Sequence, residues 1–195
     1  MTFRYDKIRG DVLALLGESP ALPNLLEEEE ESNVLTIDRM LKPQLAPCAL
    51  QATLAADPLF LDEIADIYPD IEWLGDSHGR MRMPEDFLTL QALKMTDWEE
   101  PVMHLEAEES LRGRLGSRAP GWLVNARRPM AMLRRNGSGL WLYFAGSDSH
   151  DGSPELLSYV RRPSVSASWT VTLSGVVYPE MIALLAEKIR ETDER

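Results

Sequence analysis

Two hydrophobic periods that do not mix constrain this chain more than any other feature. Apolar residues recur at helical spacing through the first 69 residues and again from Tyr178 to Glu191, while the alternation of half-buried strands fills most of the interval. The change-over falls at Arg80–Val102, RMRMPEDFLTLQALKMTDWEEPV. Here Arg80-Met81-Arg82-Met83 alternates charged and apolar side chains, and Pro84 breaks the run. Phe87–Met95 then reads as a strand with Leu88, Leu90, Ala92 and Lys94 on one face and Thr89, Gln91, Leu93 and Met95 on the other. A short helix competes for that segment, because Leu and Ala are weak strand formers. Helices at the ends and strands between them predict an α+β fold, with N-terminal helices and a C-terminal helix packed with a small antiparallel sheet. The 195 residues read as one domain, mainly helical over 1–69, mainly β over 70–175, and closed by a helix over 176–192. Phe87 and Trp98 are then expected to anchor the helical and β parts in one core.

The flanking elements follow from local chemistry. Asp6–Leu16 is a first helix with Ile8, Val12, Leu15 and Leu16 as its apolar stripe and Gly17 as its C-cap. Glu27–Glu31 puts five like charges in a row, which predicts an exposed loop or a frayed helix end. A second helical region reaches about Ala56, and Pro43 and Pro47 require it to start late, kink or split. Its section CALQATLAA suits close packing on another helix. Leu59–Ile67 reads as a short helix with Leu61, Ile64 and Ala65 inward, and residues 70–79 as loop and turn. Pro101–Leu105 suggests a short strand and Ala107–Gly116 a brief helix, followed by loop. Pro129–Arg135 and Leu140–Ala145 are strands joined by Asn136-Gly137-Ser138-Gly139, a strong hairpin signal. Gly146–Pro154 is a polar loop, and Leu156–Val160 a further strand antiparallel to Leu140–Ala145. Trp169–Leu173 is a strand or extended loop. Pro179 suits the first turn of the last helix, whose buried side is Met181, Ile182, Leu184, Leu185 and Ile189.

Charge narrows the possible partners. The net charge is −12, but residues 1–109 carry −16 and residues 110–195 carry +4, and Ser110–Ser147 contains seven arginines and no acid. Such polarity permits head-to-tail contact between identical subunits. A strongly acidic chain is a poor autonomous nucleic-acid binder, because long-range repulsion opposes approach. A hydrophobic share of 44% places the chain among globular proteins and not disordered ones, and no apolar run is long enough to span a bilayer. The first residues do not read as a signal peptide, and Cys48 stands alone, which excludes a disulfide framework or a cysteine metal site. A reducing, intracellular setting is expected, with Cys48 as a core residue.

Motifs for catalysis are sparse. The chain holds no G-x-S-x-G, no Gly-rich phosphate loop before a helix and no H-E-x-x-H. Asp148-Ser149-His150-Asp151 is the one local group of carboxylates and imidazole, so a metal-dependent hydrolase centred on Asp148, His150 and Asp151 is an alternative reading, set against an ordinary polar turn. No cofactor is expected. The arginine pairs Arg127-Arg128, Arg134-Arg135 and Arg161-Arg162 flank strands, and adjacent strand residues point to opposite faces. Aligned strands would gather a row of guanidinium groups for an acidic protein surface, with Glu27, Glu28, Glu29, Glu30 and Glu31 as the opposite pole.

The order of these segments resembles a known family. Met83-Pro84-Glu85-Asp86-Phe87-Leu88 and Lys94-Met95-Thr96-Asp97-Trp98-Glu99-Glu100-Pro101-Val102, placed between a helical half and a strand region that ends in YPEMIALLAEKI, are similar to head–tail connector (adaptor, neck-ring) proteins of tailed phages and prophages. Uncharacterised members from gut Bacteroidales and their phages share the pattern. The similarity covers residues 34–190, and the acidic run lies outside it. The resemblance implies a helical bundle with a β-rich insertion, a non-enzymatic virion protein that forms a ring between portal and tail. It also implies portal and tail proteins as partners, DNA passing through the ring without sequence-specific binding, and a location in the virion or in the host cytoplasm during assembly. It transfers no catalytic residue. A host-encoded protein-binding module is the remaining alternative.

Overall fold

The computed structural model describes residues 1–17, 27–65, 69–75, 77–110, 123–137, 139–148, 150 and 152–193. The elements in chain order are β1 (Thr2–Phe3), α1 (Tyr5–Leu16), α2 (Glu27–Ala55), a 3-10 turn (Pro58–Phe60), β2 (Glu63–Ile64), β3 (Ile71–Gly75), β4 (His78–Arg82), β5 (Phe87–Met95), β6 (Met130–Asn136), β7 (Gly139–Ala145), β8 (Pro154–Arg161), β9 (Ser164–Val165), β10 (Val171–Thr172), a 3-10 turn (Gly175–Val177) and α3 (Tyr178–Asp193). The protein is α+β and divides into two compact units. The first is assembled from both chain ends, Met1–Asp62 and Arg162–Arg195, and the second is the uninterrupted segment Glu63–Arg161.

In the first unit, α1 and α2 each pack on α3. The buried positions Leu41, Leu45, Cys48, Ala49 and Ala52 follow helical spacing along α2, and Met181, Ile182, Leu185 and Ala186 face inward from α3. Gly17 takes a left-handed φ of 79° and donates its N–H to the Ala14 carbonyl, closing α1 as expected of a glycine C-cap. The stripe of α1 has a different phase from the expected one: Ile8, Val12 and Leu13 are buried, and Leu15 is exposed. A small antiparallel sheet, β1-β10-β9, completes the unit. Phe3 of β1 stacks on Tyr178, with ring centroids 3.9 Å apart.

The second unit is all β among the described residues. It comprises the antiparallel sheets β2-β8-β5 and β3-β4-β7-β6. Both sheets contribute to one core, with Met81, Leu142, Phe144 and Ala131 from one and Leu90, Leu93, Met95, Leu157 and Tyr159 from the other. Phe87 and Trp98 close this core. Phe87 stacks on Tyr159 at 5.4 Å and Trp98 meets Phe144 edge-on at 6.1 Å. Each large apolar side chain removed from water here contributes about 1.5–3 kcal/mol.

Several expectations need correction, each for a physical reason. Arg80–Val102 lies wholly inside the second unit, and Phe87 and Trp98 belong to the core that the two sheets of that unit share. Of the two readings of Glu27–Glu31, loop or helix end, the structure has the helix end, since the run opens α2. That helix runs on through Pro43 and Pro47. Both prolines face solvent, where water can satisfy the carbonyls that lose a partner, while Leu41, Leu45 and Cys48 stay buried. Leu59–Ile67 is not a helix among its described residues. The Asp57 side chain accepts the Leu59 N–H and sets a single 3-10 turn, after which the chain is extended into β2, leaving Leu59 and Phe60 exposed. Ile71–Gly75, expected as loop, is a strand paired with β4. Pro101–Leu105 makes only one bridge, Val102 with Leu93, and Ala107–Ser110 is turn, with the remainder of that expected helix outside the described residues.

The largest departure concerns β8. It pairs with β5 and β2, and not with β7. Thr96 and Asp97 redirect the intervening loop. The Thr96 hydroxyl accepts the Ser153 N–H at 3.3 Å, and the Asp97 carboxylate accepts the Asp148 N–H at 2.6 Å and the Ser147 hydroxyl at 3.4 Å. Gly146, with φ of 116°, sits where a Cβ would come within 2.8 Å of the Asn125 carbonyl oxygen. The chain therefore leaves β7 on a path that only glycine permits and is delivered beside β5.

Candidate interaction surface

The strand registers of the second unit build a grid on the face of the four-stranded sheet opposite its core. Glu72 pairs with Arg80, Arg80 with Tyr143 and Tyr143 with Met132, while Arg82 pairs with Trp141 and Trp141 with Arg134. Because strand side chains alternate, these positions share one face, and Met81, Leu142 and Leu133 between them point to the other. Arg80 is the hub. Its Nη2 and Nε donate to the two carboxylate oxygens of Glu72 at 2.7 and 2.9 Å, and its Nη1 donates to the Tyr143 hydroxyl at 3.1 Å. Its guanidinium carbon lies 4.4 Å from the Trp141 ring centroid. The hydrogen bonds to Tyr143 and Glu72 raise the Arg80 pKa further, so its charge is permanent. The Arg134 guanidinium lies 5.2 Å from the Tyr143 centroid and pairs with Glu108 at 3.0 Å.

The result is a plate of stacked guanidinium and aromatic groups held in fixed rotamers by bidentate and cation–π contacts. At its margin lies a cleft of about 520 Å³, lined among others by Asp70, Glu72, Arg82, Glu85 and Trp141. Pre-ordered Trp, Tyr and Arg side chains lose little conformational freedom on contact and are the residue types that dominate protein–protein binding.

The arginines singled out in the sequence do not form a single row. Arg134 and Arg135 are consecutive on β6, so they face opposite sides of the sheet, and only Arg134 joins the grid. Arg127 and Arg128 lie before the other end of β6, in a turn where the Asn125 side chain accepts both of their N–H groups. Arg127 there pairs with Glu99 at 2.8 Å. Arg161 ends β8 in the other sheet and pairs at 2.8 Å with Asp86, whose second oxygen accepts the Tyr159 hydroxyl. Burial and the Asp86 carboxylate push the Tyr159 phenol up to about 12. Arg162 belongs to the first unit, and Glu27–Glu31 form the opening turns of α2.

Of the Asp148–Asp151 group, Asp148 uses its backbone N–H on Asp97, His150 sets its ring edge-on to Trp73 at 5.8 Å, and Asp151 lies outside the described residues. Among the described residues no three His, Cys, Asp or Glu side chains gather as metal ligands, and no helix is long and apolar enough to cross a membrane. Cys48 is buried, and burial pushes its thiol up despite the nearby Lys188 charge.

Sequence reasoning missed Glu72, Arg80, Trp141 and Tyr143 as a group. The available signal was two i,i+2 pairs, Arg80/Arg82 and Trp141/Tyr143, each bound to share a face. Without the register between β4 and β7 nothing places one pair against the other. No protein-family model matches the chain, and no curated protein matches it.

Proposed function

We propose that this chain is a non-enzymatic structural protein of a phage virion or prophage, a head–tail connector-like subunit that assembles into a ring between portal and tail. The observation that carries the reading is the inserted β unit, Glu63–Arg161, which bears the arginine–aromatic plate and interrupts a helical unit made from both chain ends. That organisation agrees with the helical bundle and β-rich insertion implied by the resemblance of Met83–Val102. The plate serves as the docking face for portal or tail proteins. The uneven charge, −16 over residues 1–109 and +4 over residues 110–195, favours oriented contact between neighbouring copies. DNA passes the assembled ring without sequence-specific contacts. Two observations test this. Terminase, portal and capsid genes should surround the gene, and the chain should co-elute with the portal protein encoded beside it. A chain that binds neither that portal nor any co-encoded tail protein is not a connector, and a gene with no virion neighbours favours a host protein-binding module.

A further inference from the structure

Trp169 is the one described residue other than glycine with a positive φ, 58°. A bulky side chain resists that conformation, which glycine adopts freely. The surrounding turn enforces it. The Ser166 N–H donates to the Thr170 carbonyl at 2.9 Å, and the Trp169 N–H donates to the Ser166 carbonyl at 3.0 Å. The Ser166 hydroxyl accepts the Thr170 N–H at 3.0 Å, and hydroxyl contacts link Ser166 to Ser168 and Ser168 to Thr170. The enforced conformation leaves the indole 41% exposed, so it is not retained for burial in a core. Strain held in place around an exposed aromatic marks a contact residue.

The surroundings state the chemistry of the partner. Lys42 lies 5.6 Å from the Trp169 ring centroid and 5.2 Å from that of Tyr5. Among the described residues Lys42 and Arg9 pair with one shared carboxylate, Asp38, at 3.0 and 3.6 Å, so two cations meet a single anion in these ion pairs, with Lys42 against the ring. Together with the indole N–H, this spot suits a carboxylate-rich segment. The same chain carries one in Glu27–Glu31, the first turns of α2, and Lys42 is on the same continuous helix. A helical rise of about 1.5 Å per residue holds the run and Lys42 roughly 16–22 Å apart along the axis. One molecule therefore cannot close the contact on itself, whereas two can.

We propose that Trp169, with Lys42 against its ring, is the anchor by which one copy of this chain docks onto the acidic first turns of α2 of a second copy. The contact is heterologous, and it rests on the ring-forming connector reading by naming the surface that would propagate the ring.

The test is sedimentation velocity of the full chain with two variants. Trp169→Gly removes the ring and relieves the backbone, and the five-fold exchange of Glu27 to Glu31 for Gln removes the acidic charge at similar helix propensity. Both should melt at or near the wild-type temperature. Wild type self-associates in a salt-sensitive way, and each variant alone associates roughly thirtyfold more weakly or worse. Mixing the two variants restores a dimer and nothing larger, because one intact junction survives. Wild-type association by Trp169→Gly, or no dimer from the mixture, overturns the inference. A wild-type chain that stays monomeric yet binds the portal protein also overturns it and leaves the connector reading standing, whereas a chain that does neither loses both.

Discussion

Trp98 offers the sharpest test of the β-unit core, because two substitutions there separate burial from hydrogen bonding. The side chain is 3% exposed and packs edge-on to Phe144, yet its indole N–H is buried with no hydrogen-bond partner among the described residues. Trp98→Ala empties the site and should cost about 3–5 kcal/mol. Trp98→Phe keeps the six-membered ring and loses the atoms of the pyrrole edge, a truncation worth about 1–2 kcal/mol by analogy with removing one or two methylene groups. It also removes a donor whose burial without a partner costs about 1–3 kcal/mol. The two effects offset, so Trp98→Phe should lie within about 1 kcal/mol of wild type. Urea titration followed by circular dichroism measures both variants, and amide exchange of β5 and β8 assigns the loss to the second unit. A Trp98→Phe loss above about 3 kcal/mol would show that the N–H has a partner, and a Trp98→Ala loss under about 1 kcal/mol would show that the ring is not buried.

Other predictions rest on separate features. Gly146→Ala should destabilise by about 1–3 kcal/mol in the same titration, since a left-handed φ and the Asn125 carbonyl both exclude a Cβ. Arg80→Ala should lower the melting temperature, and Arg80→Lys should recover little of it, because an ammonium group cannot bridge Glu72 bidentately while stacking on Trp141. In an ultraviolet titration Tyr159 should ionise near pH 12, with Tyr5 and Tyr178 also well above the ordinary value of about 10. Folding favours their neutral form, so that stability is complete below about pH 10 and is lost as pH rises through the folded values. At the acid end, hydrogen bonds from Lys7 and Tyr178 lower Asp11. Burial raises Asp38, but hydrogen bonds from Lys42 and Tyr5 and the charges of Lys42 and Arg9 outweigh it and lower Asp38 as well. The stability these groups add is complete above about pH 4 and is lost as pH falls through their folded values, and Asp38→Asn should flatten that slope.

What was legible in the sequence was whatever a local pattern fixes. Gly17 marked the end of α1, Asn136-Gly137 marked the β6–β7 hairpin, and the bounds of β5 are those the pattern predicts. The faces of β5 were not legible. Leu90, Leu93 and Met95 are all buried, because register shifts at Phe87/Thr89, Leu90/Ala92 and Lys94/Met95 break strict alternation. A bulge depends on the partner strand, and the partner, β8, was itself assigned to the wrong sheet. The information that places β8 resides in Thr96, Asp97 and Gly146, which hold a loop about 50 residues from them or turn it where only glycine fits. The role of Asp97 was not legible, because a carboxylate that caps a distant loop has no local signature. The interaction plate was hidden for the same reason, since its four central residues come from three strands and meet only through register.

Electron microscopy of the chain co-expressed with the portal and tail proteins encoded beside it tests whether it is an assembly subunit of a head–tail junction. The expected result is a closed ring of copies seated on the portal, with the arginine–aromatic plate around Arg80 and Trp141 in contact with a neighbouring protein. A portal that purifies bare, or a bound chain whose plate faces open solvent, would contradict it.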